Sequence, residues 1–197
     1  MRVLLVGASG TIGSAIAAAL EPRHEVIRAS RHAGDHRVDI TDRSSIEALF
    51  AATGAVHAVV SAAGAVRFGP LSRLSDDDFE FGLRSKLMGQ ANLVRTGMDH
   101  VLDGGSITLT TGLVARQPFP GGAMASMMNG ALEAFVRAAA LEMPRGIRVN
   151  VVAPPWVKET LERLGREPTG GLAAADVATA YVEAVEGTRN GAFIEVN

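Results

Sequence analysis

The 197-residue sequence contains no cysteine, few aromatic residues and little excess charge. The absence of cysteine excludes disulfide bonds, thiolate metal sites and cysteine nucleophiles, and it is typical of a protein in a reducing compartment. Aromatic residues make up 5% of the chain, and the net charge is -2. Because such a chain has no overall positive field, we predict no nucleic-acid partner.

Long apolar runs are missing as well. A membrane-spanning helix needs roughly 20 consecutive apolar residues, whereas Arg, Glu or Gly interrupts every candidate stretch. The apolar segment near the start is too short for a signal peptide and has no cleavage-like end. We therefore expect no membrane partner and a cytoplasmic location. At 20.5 kDa the chain has the size of one compact unit, and we predict a single domain over residues 1–197.

Short apolar runs alternate with amphipathic stretches along the chain. Helices are predicted at 11–20, at 44–52 with Ser44 as its opening residue, at about 122–142 and at 174–186. A long helix is also predicted after Ser75, which caps it together with Asp78, and Phe79, Leu83 and Leu87 recur at the spacing of one buried face. Strands are predicted at 3–6, 26–29, 37–38, 56–60, 106–110, 147–152 and 192–196. This alternation predicts an α/β fold: a Rossmann-type doubly wound parallel sheet of about seven strands, with helices on both faces.

A glycine-rich turn, Gly7 to Gly13, follows the first strand and opens the first helix. Glycine permits a tight turn and a close approach of the backbone to a pyrophosphate, while free helix N–H groups face the anion. We therefore predict dinucleotide binding, with a purely structural turn as the alternative. The predicted cofactor-binding residues of the turn are Gly7, Ser9, Gly10, Thr11, Ile12 and Gly13.

The end of the second strand indicates which dinucleotide binds. An acidic side chain there would hydrogen-bond a ribose 2′-hydroxyl, whereas a basic one would accept a 2′-phosphate. This chain has Ser30 and Arg31, and no carboxylate follows the strand directly. The planar guanidinium suits a phosphate, so we predict NADP rather than NAD. The alternative is that Arg31 is a solvated loop residue.

Further motifs follow in order: Val38 to Asp42, Ser61 to Gly64, Asn129 to Phe135 and Gly146 to Pro155. Together with the glycine-rich turn, they resemble the short-chain dehydrogenase/reductase family over essentially the whole chain. The resemblance implies that Asp39 and Ile40 contact the adenine. It also implies that the ribose and nicotinamide lie beside Ser61, Ala62, Ala63, Gly64, Pro154, Trp156 and Val157. Pro155 stands where the family usually has glycine.

The family's catalytic residues are absent. Its usual set is an Asn, a Ser, and a Tyr followed four residues later by a Lys. The positions that match these motifs hold Lys86, Gly112, Ala125 and Asn129. A positioned proton donor is typically worth about 10²–10⁴-fold in rate, and alanine supplies none. The only tyrosine, Tyr181, falls on the last predicted helix.

Three interpretations remain open. The first is an NADP-dependent oxidoreductase acting on a small-molecule carbonyl, alcohol or related substrate, with Lys86 and Asn129 as candidate catalytic residues. Desolvation would lower the pKa of Lys86 and make it a usable acid or base; alternatively, its ammonium faces the cofactor cleft or solvent. The second is an NADP-binding non-redox enzyme or a cofactor-sensing protein. The third is an interaction protein that binds no cofactor.

The remaining predictions concern metals, substrate contacts and assembly. We predict no metal site, because the five histidines show no ligand spacing. Arg116 could approach an acidic substrate or be solvated. Met124, Met127 and Met128 could form a substrate wall, or belong to the core or to a subunit interface. The helix at 122–142 is apolar over more surface than one sheet face covers, so we expect a homodimer or homotetramer. The short connection between the last two strands predicts an open pocket.

Overall fold

The computed structural model describes residues 1–196. Its seven strands form one sheet in which every neighbouring pair is parallel, in the order β3-β2-β1-β4-β5-β6-β7. This arrangement confirms the predicted Rossmann-type sheet. The strands are β1 Arg2–Val6, β2 Glu25–Ser30, β3 His36–Arg37, β4 Val56–Ser61, β5 Val101–Thr110, β6 Arg148–Ala153 and β7 Phe193–Glu195.

The helices connect successive strands and lie on both sheet faces. They are α1 Thr11–Leu20, α2 Arg43–Thr53, α3 Asp76–Gly82, α4 Gly89–Gly97, α5 Ala123–Ala139, α6 Lys158–Arg163 and α7 Ala174–Glu186. A π-helical turn, Leu83–Met88, joins α3 to α4, and short 3-10 turns occur at Leu71–Arg73 and Leu113–Ala115. Within residues 1–196, none of these helices has both the length and the apolar character needed to cross a membrane.

Successive residues of β1 supply two separate cores, because side chains of a strand alternate between its faces. Leu4 and Val6 pack into the core that contains Phe50 of α2 and Leu132 of α5. The alternate residues Val3 and Leu5 pack against α1 and α7. Burial on both faces explains why the strands are continuous apolar runs.

Two predicted helix boundaries were wrong. Asp42, not Ser44, is the N-cap of α2, and its carboxylate accepts the N–H of Ser44 at 2.9 Å. The aspartate reaches the free amide of the first turn, which places Ser44 inside the helix. The helix predicted at 122–142 ends at Ala139, because the amides of Leu141 and Glu142 bond to carbonyls only three residues back, in a tightened last turn. The capping box of Ser75 and Asp78 is confirmed.

The long helix predicted after Ser75 contains an irregularity that the sequence did not reveal. Its middle turn, Leu83–Met88, is π-helical, a conformation that is rare and found frequently at functional sites. Gly89 follows directly and lies against Ile40, since a Cβ on Gly89 would come within 2.9 Å of the Ile40 Cδ1. The π turn and this close approach fix the helix segment that carries Lys86.

Candidate functional site

A cavity of about 330 Å³ opens at the carboxyl ends of β4, β5 and β6, next to the point where the strand order reverses. The four positions that correspond to the family's catalytic set all line it, namely Lys86, Gly112, Ala125 and Asn129. Seven of the predicted cofactor residues line it as well: Ile12, Ala62, Ala63, Gly64, Pro154, Trp156 and Val157. The fold therefore brings together residues that are up to 145 positions apart in the chain.

The glycine-rich turn lies at the edge of this cavity and is too tight for side chains at two positions. Gly7 has φ +89°, and a Cβ there would lie 2.7 Å from the Ala62 carbonyl carbon. A Cβ on Gly13 would lie 2.0 Å from the Gly7 oxygen. These contacts require glycine, because no other residue lacks Cβ.

The N-terminus of α1 offers donors to an anion. Its N-cap is Gly10, which has no side chain to cap the helix, and its first turn contains no acidic residue. The Gly10 N–H bonds to the Gly7 carbonyl at 3.0 Å. The N–H groups of Thr11, Ile12 and Gly13 have no partner within the helix, as expected for a first turn. Ser9 is exposed beside them. These donors and the positive end of the helix dipole suit a pyrophosphate.

Arg31 does not stand alone at the end of β2, as the sequence had implied. It forms an ion pair with Asp39. β3 lies parallel beside β2, so the residues after β3 are brought next to those after β2. Partial burial raises the pKa of the Asp39 carboxyl, but hydrogen bonds from Arg31 and Thr41 outweigh this effect and lower the pKa to about 2. Ser30 is engaged locally, since its hydroxyl donates to the Ala33 carbonyl at 2.6 Å.

Three of the predicted adenosine-side residues lie away from the cavity lining. Asp39 follows β3 and pairs with Arg31 beyond the end of β2. Ile40 is buried against Gly89. Ser61 is fully buried at the end of β4, and its carbonyl accepts the Thr110 hydroxyl at 2.5 Å.

Among the described residues that line the cavity, Lys86 is the one with an ionisable side chain. Only 8% of it is exposed. Burial lowers the pKa of its ammonium to about 8. Among residues 1–196, no hydrogen bond joins Lys86 to Asn129, the other candidate catalytic residue. Instead, the Asn129 Oδ1 is buried without a partner. Lys86 and Asn129 thus provide, separately, a buried cation and a buried amide oxygen without a partner among the described residues.

Gly112 lies close to the side-chain amide of Asn129. A Cβ on Gly112 would lie 3.1 Å from the Asn129 Nδ2, so a serine at this position would crowd the amide. The neighbouring Thr111 hydroxyl donates to the Asn129 backbone carbonyl at 3.1 Å. Its proton is therefore directed at the backbone of α5 rather than into the cavity.

Gln90 is a structural residue of the site that sequence reasoning missed. Its side chain is fully buried and donates to the carbonyls of Thr110 and Lys86, at 2.8 and 3.2 Å. Its Oε1 accepts the Thr110 N–H at 2.8 Å. Gln90 therefore ties the π turn that carries Lys86 to the end of β5. The sequence carries no signal that singles out Gln90, because α4 also contains Asn92, Arg95 and Thr96.

Tyr181 cannot replace the missing phenol. It is fully buried in the core between the sheet and α1 and α7, and its hydroxyl bonds to the Thr110 hydroxyl at 2.7 Å. Burial raises the pKa of the phenol above its usual range, although the Thr110 hydrogen bond opposes the shift. The side chain does not line the cavity.

The structure does not support the other substrate contacts suggested by the sequence. The Arg116 Nε lies 3.3 Å from the buried Glu133 carboxylate, and its guanidinium covers the Phe193 ring at 3.5 Å. It is therefore occupied within the protein. Met124 and Met128 are completely buried and Met127 is exposed, and none of the three lines the cavity. Among residues 1–196, no group of three or more possible metal ligands lies together.

Three aromatic rings cover the outer end of the cavity. Phe68 lies between β4 and α3, Phe119 between β5 and α5, and Trp156 between β6 and α6. Their centroids are 5.7 to 5.9 Å apart, within the range of favourable aromatic pairs. We call these three side chains the aromatic roof. Sequence reasoning missed it, because the three residues come from separate loops.

The parallel sheet, its strand order and the glycine-rich turn define a doubly wound protein of the dinucleotide-binding class. A family model described as Enoyl-(Acyl carrier protein) reductase matches residues 7–185. The chain belongs to the short-chain dehydrogenase/reductase family, whose members are oxidoreductases that use NAD(P).

Similar proteins include reductases and dehydrogenases. A hydroxynaphthalene reductase of Aspergillus fumigatus is 30% identical over 71% of this chain and 54% of its own length. Versicolorin reductase 1 of Aspergillus parasiticus is 31% identical over 79% of this chain and 69% of its length. The chain thus spans about half to two thirds of these relatives.

Two solved structures are similar over nearly their full length. The crystal structure of a protein from Listeria innocua is 45% identical, with a TM-score of 0.96 and complete coverage of both chains. That of a small-chain dehydrogenase in complex with NADPH is 26% identical, with a TM-score of 0.88, and covers 100% of this chain and 96% of the other.

Proposed function

We propose that the chain is a single-domain, NADP-dependent oxidoreductase that transfers a hydride between NADP(H) and a small carbonyl or alcohol, with non-standard catalytic residues. The observation that carries the proposal is the convergence at one cavity of the predicted nicotinamide residues and the buried cation of Lys86. When bound, NADPH supplies the hydride.

The chain's own residues would hold the cofactor as follows. The free N–H groups of Thr11, Ile12 and Gly13 bind the pyrophosphate. The unpaired Oδ1 of Asn129 accepts a hydrogen bond from a ribose hydroxyl, which would satisfy a buried acceptor. The backbone around Pro154 and Val157 forms the wall beside the nicotinamide.

The preference for NADP rests on Arg31. Its side chain is more than half exposed, and its Nε and one Nη2 hydrogen point to a single Asp39 oxygen. The guanidinium has five N–H donors, so three remain for a 2′-phosphate. Asp39 does not depend on Arg31 alone, because the N–H and hydroxyl of Thr41 bond to its other oxygen at 2.9 and 2.7 Å.

Lys86 would supply the proton in the direction of reduction. As the hydride reaches the carbonyl carbon, the electron pair of the C=O bond moves onto the oxygen, which takes a proton from the ammonium. The neutral amine then regains a proton from solvent. A general acid is most effective when its pKa is near the working pH, and the lowered pKa of Lys86, about 8, meets this condition.

Binding and transfer are tested separately. Isothermal titration should give NADPH binding at least tenfold tighter than NADH. NADPH carrying deuterium at C4 should pass it to a member of a panel of small ketones and aldehydes. We expect Lys86→Met to abolish transfer with NADPH affinity nearly unchanged, and Lys158→Met, at the other lysine, to retain it. Failure to bind either dinucleotide refutes the proposal, and unchanged transfer in Lys86→Met removes the role of Lys86.

A second function is favoured by one observation, the alanine at position 125 in place of the family's phenol donor. A protein with this substitution could bind NADP without redox chemistry and signal its occupancy to a partner. It would bind NADPH tightly, yet no deuterium would reach any substrate in the panel.

We also propose a homodimer or homotetramer. Three large apolar side chains are exposed on the π turn and α5: Leu83, Met88 and Met127. A shared surface would remove them from water, and two-fold oligomers are common. Sedimentation equilibrium measures the assembly directly, and Met127→Glu should shift it towards the monomer.

A further inference from the structure

The lining of the cavity has two chemically different parts, and the following inference rests on the proposed function. At the inner part, Lys86 is the one ionisable side chain among the described lining residues. Among residues 1–196 no carboxylate pairs with its buried ammonium, and burial is the one cause of its lowered pKa. A buried cation is costly unless it is paired. The inner part therefore fits an oxygen that is negative or becomes negative during the reaction.

The outer part is the aromatic roof. Half of Phe68 is exposed, although burial of a phenyl group is worth about 1.5–3 kcal/mol. The loop that carries it is tied to the loop of Phe119 by a hydrogen bond of 3.0 Å from the Gly69 N–H to the Gly121 carbonyl. The three rings are thus held as a preformed apolar surface over the cavity.

The spacing of the rings decides how a ligand meets them. All three pairs are already within aromatic contact, at 5.7 to 5.9 Å, so a further ring does not enter between them. A ligand ring would instead contact the aromatic roof from inside the cavity, which Phe119 and Trp156 line. Aromatic pairs contribute about 0.5–1.5 kcal/mol beyond the area that they bury, so the roof favours a flat ring over a flexible chain of equal size.

We propose that the substrate is a planar aromatic or fused-ring ketone, or its hydroxyarene tautomer. Its ring lies under the aromatic roof and its reacting oxygen lies at Lys86. The roof then acts as the specificity-determining surface, while Lys86 holds the oxygen that gains negative charge when the hydride arrives. A linear aliphatic carbonyl would satisfy Lys86 but leave the roof uncovered.

The test uses 2-naphthoate as a probe that combines a fused ring with an anionic oxygen. Its binding to the full chain is measured by calorimetry, with and without NADP⁺, beside two matched probes. Octanoate carries the anion without the ring, and 2-naphthamide carries the ring without the charge. We expect 2-naphthoate to bind at least tenfold more tightly than either. Equal binding of octanoate overturns the role of the roof, and equal binding of 2-naphthamide overturns the role of Lys86.

Substitutions at single rings test which side chains bind the ring of 2-naphthoate. Phe119→Leu should weaken the binding of 2-naphthoate at least fivefold and change the affinity for octanoate by less than twofold. Phe68→Leu provides the same test at a half-exposed site, where folding is less affected. Phe81→Leu, at a ring outside this cavity, should change nothing. If both roof variants bind 2-naphthoate like the unaltered chain, the proposal is wrong. NADPH titration of each variant separates this result from a failure of the proposed function, because Phe68 and Phe119 are not among the predicted cofactor residues.

Discussion

Replacing Lys86 with methionine should make the protein more stable while it removes activity. The lysine stem lies against Gly64, with its Cδ 3.1 Å from the position of a Cβ on that glycine. Methionine is also unbranched and of similar length, so it can fill the same space without a charge. The change removes the free-energy penalty of a buried ammonium and keeps most of the packing.

The size of the effect follows from the pKa of Lys86. Burial lowers it from 10.5 to about 8, a difference of about 2.5 units, and each unit corresponds to about 1.36 kcal/mol. At pH 7 the ammonium is charged in both the folded and the unfolded chain, so folding incurs nearly the whole free-energy penalty of burying it. Lys86→Met should therefore raise the free energy of unfolding by about 3 kcal/mol at pH 7.

The pH dependence gives the effect a distinct signature. Between pH 8 and 10.5 the unfolded chain binds more protons at Lys86 than the folded chain does, so stability rises with pH in this window. The advantage of the methionine variant should fall to about 1.4 kcal/mol at pH 9.5 and vanish above pH 11.

Urea denaturation at pH 7 and pH 9.5 measures both values, with equal m-values showing that the unfolding reaction is the same. Lys158→Met is the matched control, because Lys158 is exposed and surface changes usually stay within about ±0.5 kcal/mol. If Lys86→Met is no more stable than the unaltered chain at pH 7, or if its advantage does not shrink with pH, Lys86 is not a buried, unpaired ammonium.

Three other substitutions test the rest of the site. Arg31→Ala should weaken the binding of NADPH about tenfold and change the affinity for NADH by less than twofold, as measured by calorimetry. Equal losses of affinity would show that Arg31 does not select the 2′-phosphate. Gln90→Leu leaves the Thr110 N–H and carbonyl unpaired, and each such group costs about 1–3 kcal/mol, so urea unfolding should show a loss in this range. A loss under 0.5 kcal/mol would mean that the strand end finds other partners. Gly13→Ala places a Cβ 2.0 Å from the Gly7 oxygen and should abolish NADPH binding, with circular dichroism checking that the fold survives; retained affinity would contradict the proposed cofactor turn.

The sequence alone was sufficient for the sheet and for the position of its glycine-rich turn. Both depend on local order along the chain, where apolar runs alternate with amphipathic stretches and the turn follows one strand directly. The capping box at Ser75 and Asp78 was equally local and was confirmed. The N-cap of α2 was missed by two residues, because Asp42 and Ser44 are both good caps and only backbone geometry separates them.

The tertiary structure decided which side chains meet. The pairing of Arg31 with Asp39 depends on β3 lying beside β2, and the aromatic roof depends on three loops that end at one edge of the sheet. The π turn and Gln90 likewise fix Lys86 through contacts between α4 and β5. Sequence spacing determines the faces and ends of each element, whereas the distances between elements arise only when their apolar faces pack together.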